Sequence, residues 1–511
     1  MPDIAGAAPV AAIPSPPRRL APAWAASGSA VASAWVSLAL FLGLAFAMRA
    51  FLLGNPVFHV DEEFYLYAAQ RWSEGALPYV GVWDRKPIGL FALYRLFLLA
   101  PGDGVLAYQL AGIACTALTA LVIERLAREI APPHAARIAG IAYVLYMPVF
   151  NCALGQGPVF YNLPVALAAL VLVEAWKQPC TSDLTLRGMQ AMALVGVAIQ
   201  IKTCVVFEGV AFGLMLLARG QRAGWTVARL AGAGTLWVGA ALAPLLVALA
   251  GYAAAGHADA FIHANFVSVF LRGSEGAVVW WRLTKETAAL TPFWLAIFLA
   301  PRKLAMPAAQ PAAHGVLRAW GLAAVAGFLV FGTWYDHYVA PMLVPLAVLA
   351  APALGRARPG ERWYTRLLLG FGTVAALAVM IYQVNEHGTA AQVDHMTGQV
   401  RAELRDGCYF QFDGEPALYR TVNACVPTRF AFPGHLNTYT EAPAIGVDAN
   451  AEVARIMLTH PDVVQIAEWS DIYLPNHQTR AIVRDFLARD YVLYGRATLG
   501  AKTFGLYRLR R

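Results

Sequence analysis

Between residues 33 and 384, long apolar runs alternate with short polar joints. A helix crossing a bilayer needs about 20 predominantly apolar residues. On that basis eleven spans are expected, at roughly 33–53, 105–127, 136–152, 159–176, 188–203, 205–218, 230–252, 288–301, 318–333, 338–354 and 366–384. The two runs between Arg187 and Arg219 are short for two full crossings. Residues 188–218 therefore read either as two spans or as a broken, partly re-entrant hairpin. The run at 288–301 is also short and is expected to begin earlier.

The joints alternate in charge. Arg125, Arg128 and Arg137 share one joint, and Lys177 and Arg187 another. Arg219, Arg222 and Arg229 fill a third, Arg302, Lys303 and Arg318 a fourth, and Arg356, Arg358, Arg362 and Arg366 a fifth. The turns between, "NCALGQGP" and "WYDH", hold neither Lys nor Arg. Basic joints mark the cytoplasmic side. Residues 1–32, Ala- and Pro-rich with Arg18-Arg19, read as a disordered cytoplasmic tail, and no cleavable signal peptide is evident. The expected organisation is a membrane domain over 33–384, with outer loops at 54–104 and 253–287, followed by an extracytoplasmic region over 385–511.

That last region changes pattern. Short apolar stretches at 408–412, 429–433, 463–467, 491–495 and 504–510 read as strands, with helical patterns in "AEVARIMLTH" and "TRAIVRDFLARD" between them. Gly500 marks a hairpin between the last two strands. The expected fold is thus an all-α polytopic membrane protein with a small C-terminal α/β domain. Cys408 and Cys425 lie in the expected oxidising compartment and are expected to form a disulfide, with two buried thiols as the alternative. Cys115, Cys152, Cys180 and Cys204 lie in or beside apolar runs and read as small hydrophobes.

Composition agrees. The 511 residues are 59% hydrophobic and only 14% charged, and mean hydropathy is +0.53, whereas a soluble domain carries about a quarter charged residues. The net charge of +8 follows from the cytoplasmic joints. No basic face is interleaved with aromatics, so nucleic acid is excluded as a partner. The lipid bilayer is the expected one.

The first outer loop departs from a simple connector. It reads "HVDEEFYLYAAQRWSEGALPYVGVWDRKPIG" from His59 to Gly89. A short helix is expected, capped by Asp61, with Glu62 and Glu63 in its first turn and Gly75 at its end. Phe64, Ala68 and Trp72 share a face suited to the membrane surface, and a second helix follows Lys86-Pro87. The carboxylates read in two ways. They are helix caps and dipole partners, or they face Arg85 and Lys86 across a cavity. The second arrangement suits lipid-phosphate chemistry, with a base for an acceptor hydroxyl and cations for a leaving phosphate.

The loop resembles the first extracytoplasmic loop of the C-type integral-membrane glycosyltransferases, particularly the protein O-mannosyltransferase and lipid A aminoarabinose transferase type. The resemblance rests on "DEEFYLYAAQRWSEGALPY" followed by "DRKPIGLFALY". "LVGVAIQIKTC" and "WYDHYVAPMLVPLAVLAA" are similar to later helices of that family. The resemblance implies that Asp61, with Glu62, serves as catalytic base or orients the acceptor, and that Lys86 contacts the donor phosphate. Arg85 stands where the aminoarabinose transferases carry Glu, with Asp84 as its substitute one position away, and Ile88 replaces a Pro. A metal site relying on that Glu is therefore in doubt.

Further candidates lie along the chain. Lys202, beside the short hairpin, joins Arg85 and Lys86 as a phosphate-binding cation, with Glu208 a weaker candidate. Tyr65, Asp84, Tyr161, Asn162, Tyr335, Asp336, His337 and Tyr338 are expected to line the cavity, although Tyr161 and Asn162 equally suit a satisfied helix start. His263, Asn265 and Arg272 of the second outer loop suit a lid or an interface. No cofactor is required. A divalent metal is left open on His59 and His337 with Asp61, although no ligand spacing marks them. There is no phosphate loop and no Ser-His-Asp or metalloprotease pattern, so the sugar donor is expected to arrive already linked to a lipid.

The expected activity is transfer of a sugar from a polyprenyl-phosphate-linked donor to an extracytoplasmic glycan, lipid or protein at the bacterial inner (plasma) membrane. The alternatives are a flippase or transporter of lipid-linked substrates and a membrane sensor with a periplasmic binding domain.

Overall fold

The computed structural model describes residues 23–178, 182–299, 311–354, 362–469 and 473–510, and within 23–30 the backbone alone. Cys180, Arg302, Lys303, Arg356, Arg358 and most of the N-terminal tail lie outside the described residues.

Helix α1 (Ala23–Arg49) leads into the first outer loop, which holds α2 (Val60–Ser73) and α3 (Ile88–Phe97). The bundle continues with α4 (Val105–Ala127), α5 (Pro133–Tyr146), α6 (Gly157–Lys177), α7 (Leu184–Ile199), α8 (Val206–Arg222) and α9 (Val227–Ala254). The second outer loop carries α10 (Ala258–Ile262), a π-turn at His263–Val267 and α11 (Ser268–Leu271). Then come α12 (Val278–Ala289), α13 (Thr291–Leu299), α14 (Pro311–Phe331), α15 (Ala340–Leu354), α16 (Arg362–His387) and α17 (Ala390–Glu403).

Among the described residues, seven helical stretches are long and apolar enough to cross a membrane, and each coincides with an expected span. The chain is a multi-pass membrane protein. The other expected spans fall on α5, α7, α12–α13 and α15. Shortness there has visible causes. Pro148 and a left-handed Asn151 end the α5 stretch, and α12 and α13 are separate helices meeting at Leu290, so that stretch does begin well before residue 288. Residues 188–218 form two helices, α7 and α8, joined by a 3-10 turn at Thr203–Val205. Glycine permits the closest crossings. A Cβ on Gly196 would fall 2.6 Å from the Ala241 carbonyl oxygen of α9.

The C-terminal region is a four-stranded sheet, β1 (Tyr409–Gln411), β2 (Val463–Ala467), β3 (Tyr491–Leu499) and β4 (Lys502–Leu509), in the order β1-β2-β4-β3. β1 runs parallel to β2, and the β3–β4 hairpin turns at Gly500, whose φ is +60°. Helices α18 (Pro416–Val422), α19 (Gly434–Asn437), α20 (Ala449–Leu458) and α21 (His477–Asp490) complete it.

Residues 429–433 are not the strand the sequence suggested. Their backbone is engaged by the first outer loop instead, with the Trp83 N–H donating to the Arg429 carbonyl at 2.9 Å. Phe430 packs on Trp83 at 5.7 Å and Phe432 on Phe64 at 5.3 Å between ring centres. The face of α2 bearing Phe64 and Ala68 is accordingly buried under the C-terminal region rather than laid on the membrane surface. The expectation failed because periodicity shows that a face is apolar but not what covers it.

A disulfide joins Cys408 to Cys425 across 17 residues of sequence. In the chain-entropy model a loop of that length contributes about 3 kcal/mol. Peptide mapping without reductant should recover this cross-link. Cys425→Ser should cost the C-terminal region about that much stability in hydrogen exchange.

Candidate active site

Helix α2 begins at Val60 because His59 caps it. His59 is extended, with φ −147°, and its Nδ1 accepts the Asp61 N–H at 3.2 Å. Asp61 is therefore not the cap that the sequence suggested. It sits inside the first turn with its carboxylate free for other partners. Gln156 Nε2 donates to Asp61 Oδ2 at 3.0 Å. Gln156 is itself fixed as the cap of α6, its Oε1 accepting the Gly157 N–H at 2.8 Å and the Tyr65 hydroxyl at 3.4 Å.

Two cations approach from other segments. Lys86 Nζ lies 3.7 Å from the Asp84 carboxylate and 5.3 Å from the centre of the Tyr65 ring. Lys202 is buried in the break between α7 and α8, its Nζ 4.0 Å over the Tyr338 ring. Asp61, Lys86 and Lys202 lie close enough to act on one another electrostatically. His337 stacks against Tyr335 and meets Tyr338 edge-on at 4.6 Å, forming a third wall. The structure thus brings together Asp61, Tyr65, Asp84, Lys86, Lys202, His337 and Tyr338.

Asp61 is half-buried. Burial pushes its carboxyl up, but Lys86 above all, then His59, His337 and the Gln156 hydrogen bond, hold it well below the usual carboxylate range. Burial pushes both imidazoles down, which leaves Lys86 as the main opposing charge. Glu62 behaves oppositely. It is fully buried, neither oxygen has a hydrogen-bond partner among the described residues, and the Gly155 and Gln156 backbone amides approach only loosely. Burial pushes its carboxyl up to about 8, so it is mainly protonated at neutral pH.

Several candidates point elsewhere. Arg85 forms a two-pronged ion pair with Glu441 of the C-terminal region, which Arg272 Nε also reaches at 2.7 Å. In this structure its charge is paired across the interface with the C-terminal region. Asn162 bridges helices, its Nδ2 donating to the Tyr143 hydroxyl at 3.1 Å and the Ala340 carbonyl at 3.2 Å. Asp336 accepts from Asn151 at 2.9 Å and Lys285 at 2.7 Å, tying outer turns together. Tyr335 donates to Glu275 at 2.6 Å. Tyr161 is buried beneath Cys204, whose Sγ lies 3.8 Å from its hydroxyl. Glu208 accepts from Trp320 Nε1 at 2.8 Å. His263 meets the Ala444 carbonyl at 3.2 Å, on the face where the second outer loop meets the C-terminal region, while Asn265 donates to its own helix at Phe261.

The sequence reading missed Gln156, Glu441 and Arg420. Gln156 had a local signal, a polar residue directly before Gly157-Pro158 at a helix start. The other two had none, because their partners lie 356 and 357 residues away. Arg420 reaches Glu63 at 3.2 Å and Asp103 at 2.9 Å, while the Tyr108 hydroxyl holds the other Glu63 oxygen at 3.2 Å.

Among the described residues no three His, Cys, Asp or Glu groups are arranged to hold a metal ion. His59 Nδ1 is occupied, and ammonium groups already serve Asp61.

No family model matches the chain, and no curated protein matches it. Solved structures do. ArnT from Cupriavidus metallidurans bound to undecaprenyl phosphate superposes with a TM-score of 0.59 at 14% identity, covering 95% of this chain and 98% of ArnT. Its apo form gives 0.61 at 14% identity, covering 94% and 98%. The Archaeoglobus fulgidus oligosaccharyltransferase in complex with Zn and sulfate gives 0.51 at 12% identity, covering 84% of this chain and 67% of that one. The chain therefore shares the fold of ArnT and of the archaeal oligosaccharyltransferase.

The Glu62 environment has a pH signature. Between about pH 4.5 and 8 the folded state holds this proton and the unfolded state does not, so stability falls as pH rises through that window. Thermal unfolding of detergent-purified Glu62→Gln should have a flatter pH dependence than wild type there. An equal slope would mean that Glu62 is ionised in the fold.

Proposed function

We propose that the protein transfers a sugar from a polyprenyl-phosphate-linked donor to an acceptor hydroxyl on the extracytoplasmic side of the membrane, by a single inverting displacement at the anomeric carbon. One observation carries this reading: Asp61, Lys86 and Lys202, which come from three different segments, lie near enough to act on one another electrostatically. The fold supports it, since ArnT is bound to undecaprenyl phosphate in one structure, and the archaeal oligosaccharyltransferase AglB to an inhibitory peptide and dolichol-phosphate in another, superposing at a TM-score of 0.50 and 13% identity.

In this mechanism the acceptor oxygen attacks the anomeric carbon while the bond to the phosphate oxygen breaks. The acceptor proton passes to Asp61 Oδ atoms as the new bond forms. Lys86 and Lys202 neutralise the departing polyprenyl phosphate, whose charge grows in the transition state. Gln156 orients Asp61 through its amide. Lys86 links the two halves of the reaction. While it serves Asp61 alone, it makes the carboxylate a weak base. A donor phosphate seated on Lys86 takes up that positive field, and Asp61 becomes more basic with substrate bound. Arg85 and Arg272 act at a distance by holding the C-terminal region over the loop.

The basic joints support placing this site and the C-terminal region outside a bacterial inner membrane, with the N-terminus in the cytoplasm. Because residues of the C-terminal region pair with both outer loops, all three pieces share one side. The proposed boundaries remain 33–384 for the membrane domain and 385–511 for the cell-envelope-facing domain.

Purified protein incubated with radiolabelled polyprenyl-phosphate sugars and membrane acceptors should move label to the acceptor. Lys86→Ala should fold normally and reduce turnover by about a hundredfold, the scale of losing one preorganised electrostatic contact to developing charge. Wild-type turnover and donor affinity in that variant would reassign the phosphate site.

A further inference from the structure

A second cavity, of about 420 Å³, lies between α2 and the C-terminal region. Its walls include Tyr67 and Arg71 of α2, Arg429 and Phe430 of the segment that meets the first loop, and Glu452 and Arg455 of α20. Ligand pockets span about 300–1,000 Å³, so the volume suits a single sugar residue. Three guanidinium groups face one carboxylate, and most of these charges are already committed. Arg455 holds Glu452 through two bonds of 2.8 and 2.7 Å, and the Thr428 hydroxyl adds a third at 2.7 Å. Arg71 pairs with Glu74.

Arg429 is different. Among the described residues it makes no side-chain hydrogen bond or ion pair, and its guanidinium rests 4.9 Å over the Phe430 ring. Tyr67 is only 3% exposed. Its ring is packed against Tyr419 at 5.7 Å, and its hydroxyl has no hydrogen-bond partner among the described residues. A hydroxyl on the cavity wall with no protein partner is open to hydrogen-bond a ligand. A guanidinium fork in a concave wall with surplus positive charge is matched by a planar anion.

We propose that this cavity binds an acidic saccharide residue, one bearing a carboxylate. Arg429 takes the carboxylate through its fork, and Tyr67 hydrogen-bonds a sugar hydroxyl. Arg429 also acts electrostatically on Glu452, but Arg71, Arg429 and Arg455 against Glu74 and Glu452 leave one positive charge over, which favours a carboxylate over a doubly charged phosphate monoester. The cavity shares α2 with Asp61, and Phe430 backs onto Trp83, whose ring carries Arg85 at 5.7 Å. A saccharide seated here is continuous with the loop that bears the base. Its role as part of the acceptor rests on the transferase reading above; the binding itself does not.

Ligand-observed NMR on the full-length protein in detergent tests it without donor or turnover, so the result stands whether or not transfer is found. The probes are glucuronate, glucose, glucose 6-phosphate and acetate. Glucuronate should bind best, and Arg429→Gln should weaken it at least about tenfold, the scale of one charge-assisted hydrogen bond. Tyr67→Phe should weaken glucuronate while leaving acetate unchanged. Arg429→Lys, keeping charge without the fork, should fall between, and Arg496→Gln on distant β3 should match wild type. Tighter binding of glucose 6-phosphate, equal binding of acetate, glucuronate binding indifferent to Arg429→Gln, or no glucuronate binding would each overturn the proposal.

Discussion

One turn of α2 carries three consecutive carboxylates into three environments, and the site depends on that separation. Successive helical side chains are about 100° apart, so Asp61, Glu62 and Glu63 cannot share a setting. Asp61 faces the lysines and stays charged. Glu62 enters the bundle without a partner and is pushed toward its neutral form. Glu63 turns to Arg420 of the C-terminal region. A single run of acid thus supplies the proposed base, a buried group pushed toward its neutral form and a docking contact. Three ionised carboxylates in one buried turn would repel one another, and this partition removes that repulsion.

The cations are sorted in the same way. Arg85 and Lys86 are neighbours in sequence, yet Arg85 goes to Glu441 and Lys86 to the cleft. The chemistry of the two side chains fits the division. The guanidinium fork suits a carboxylate held two-pronged at a fixed interface, whereas the ammonium is a mobile point charge suited to a phosphate that arrives and leaves. Glu441 fastens the C-terminal region to the first loop through a half-buried pair with Arg85, and Arg420 does so through a buried pair with Glu63. Removing one partner of such a pair typically costs about 3–5 kcal/mol, because the other charge is left stranded. The region is consequently part of the active-site architecture.

Much of this was legible in the sequence. Apolar run lengths and alternating Arg joints located the helices, and the motif from Asp61 to Lys86 marked the loop, because both signals are local. The sheet was legible at β1, β2, β3 and β4, where apolar strands lie between helical patterns. Residues 429–433 carried the same local pattern but were diverted by a partner in the first loop. Glu441, Arg420 and the pairing of Arg85 were not readable, since an ion pair spanning some 356 residues leaves no trace in either neighbourhood. Asn162 was left between two readings for a related reason. A polar residue at a helix start looks the same whether it faces a cavity or a neighbouring helix, and here it holds α5 and α15.

The central claim is that Asp61 receives the acceptor proton, and the most direct measurement is the initial transfer rate of Asp61→Asn on folded, purified protein. His59 caps α2 without the Asp61 side chain, so the substitution leaves the helix start intact. Asn can still hydrogen-bond Gln156, but it cannot accept the proton. A loss of about a hundredfold or more is predicted, the range of general base catalysis. A rate within about threefold of wild type, far inside that range, would contradict the account and leave Asp61 a structural residue.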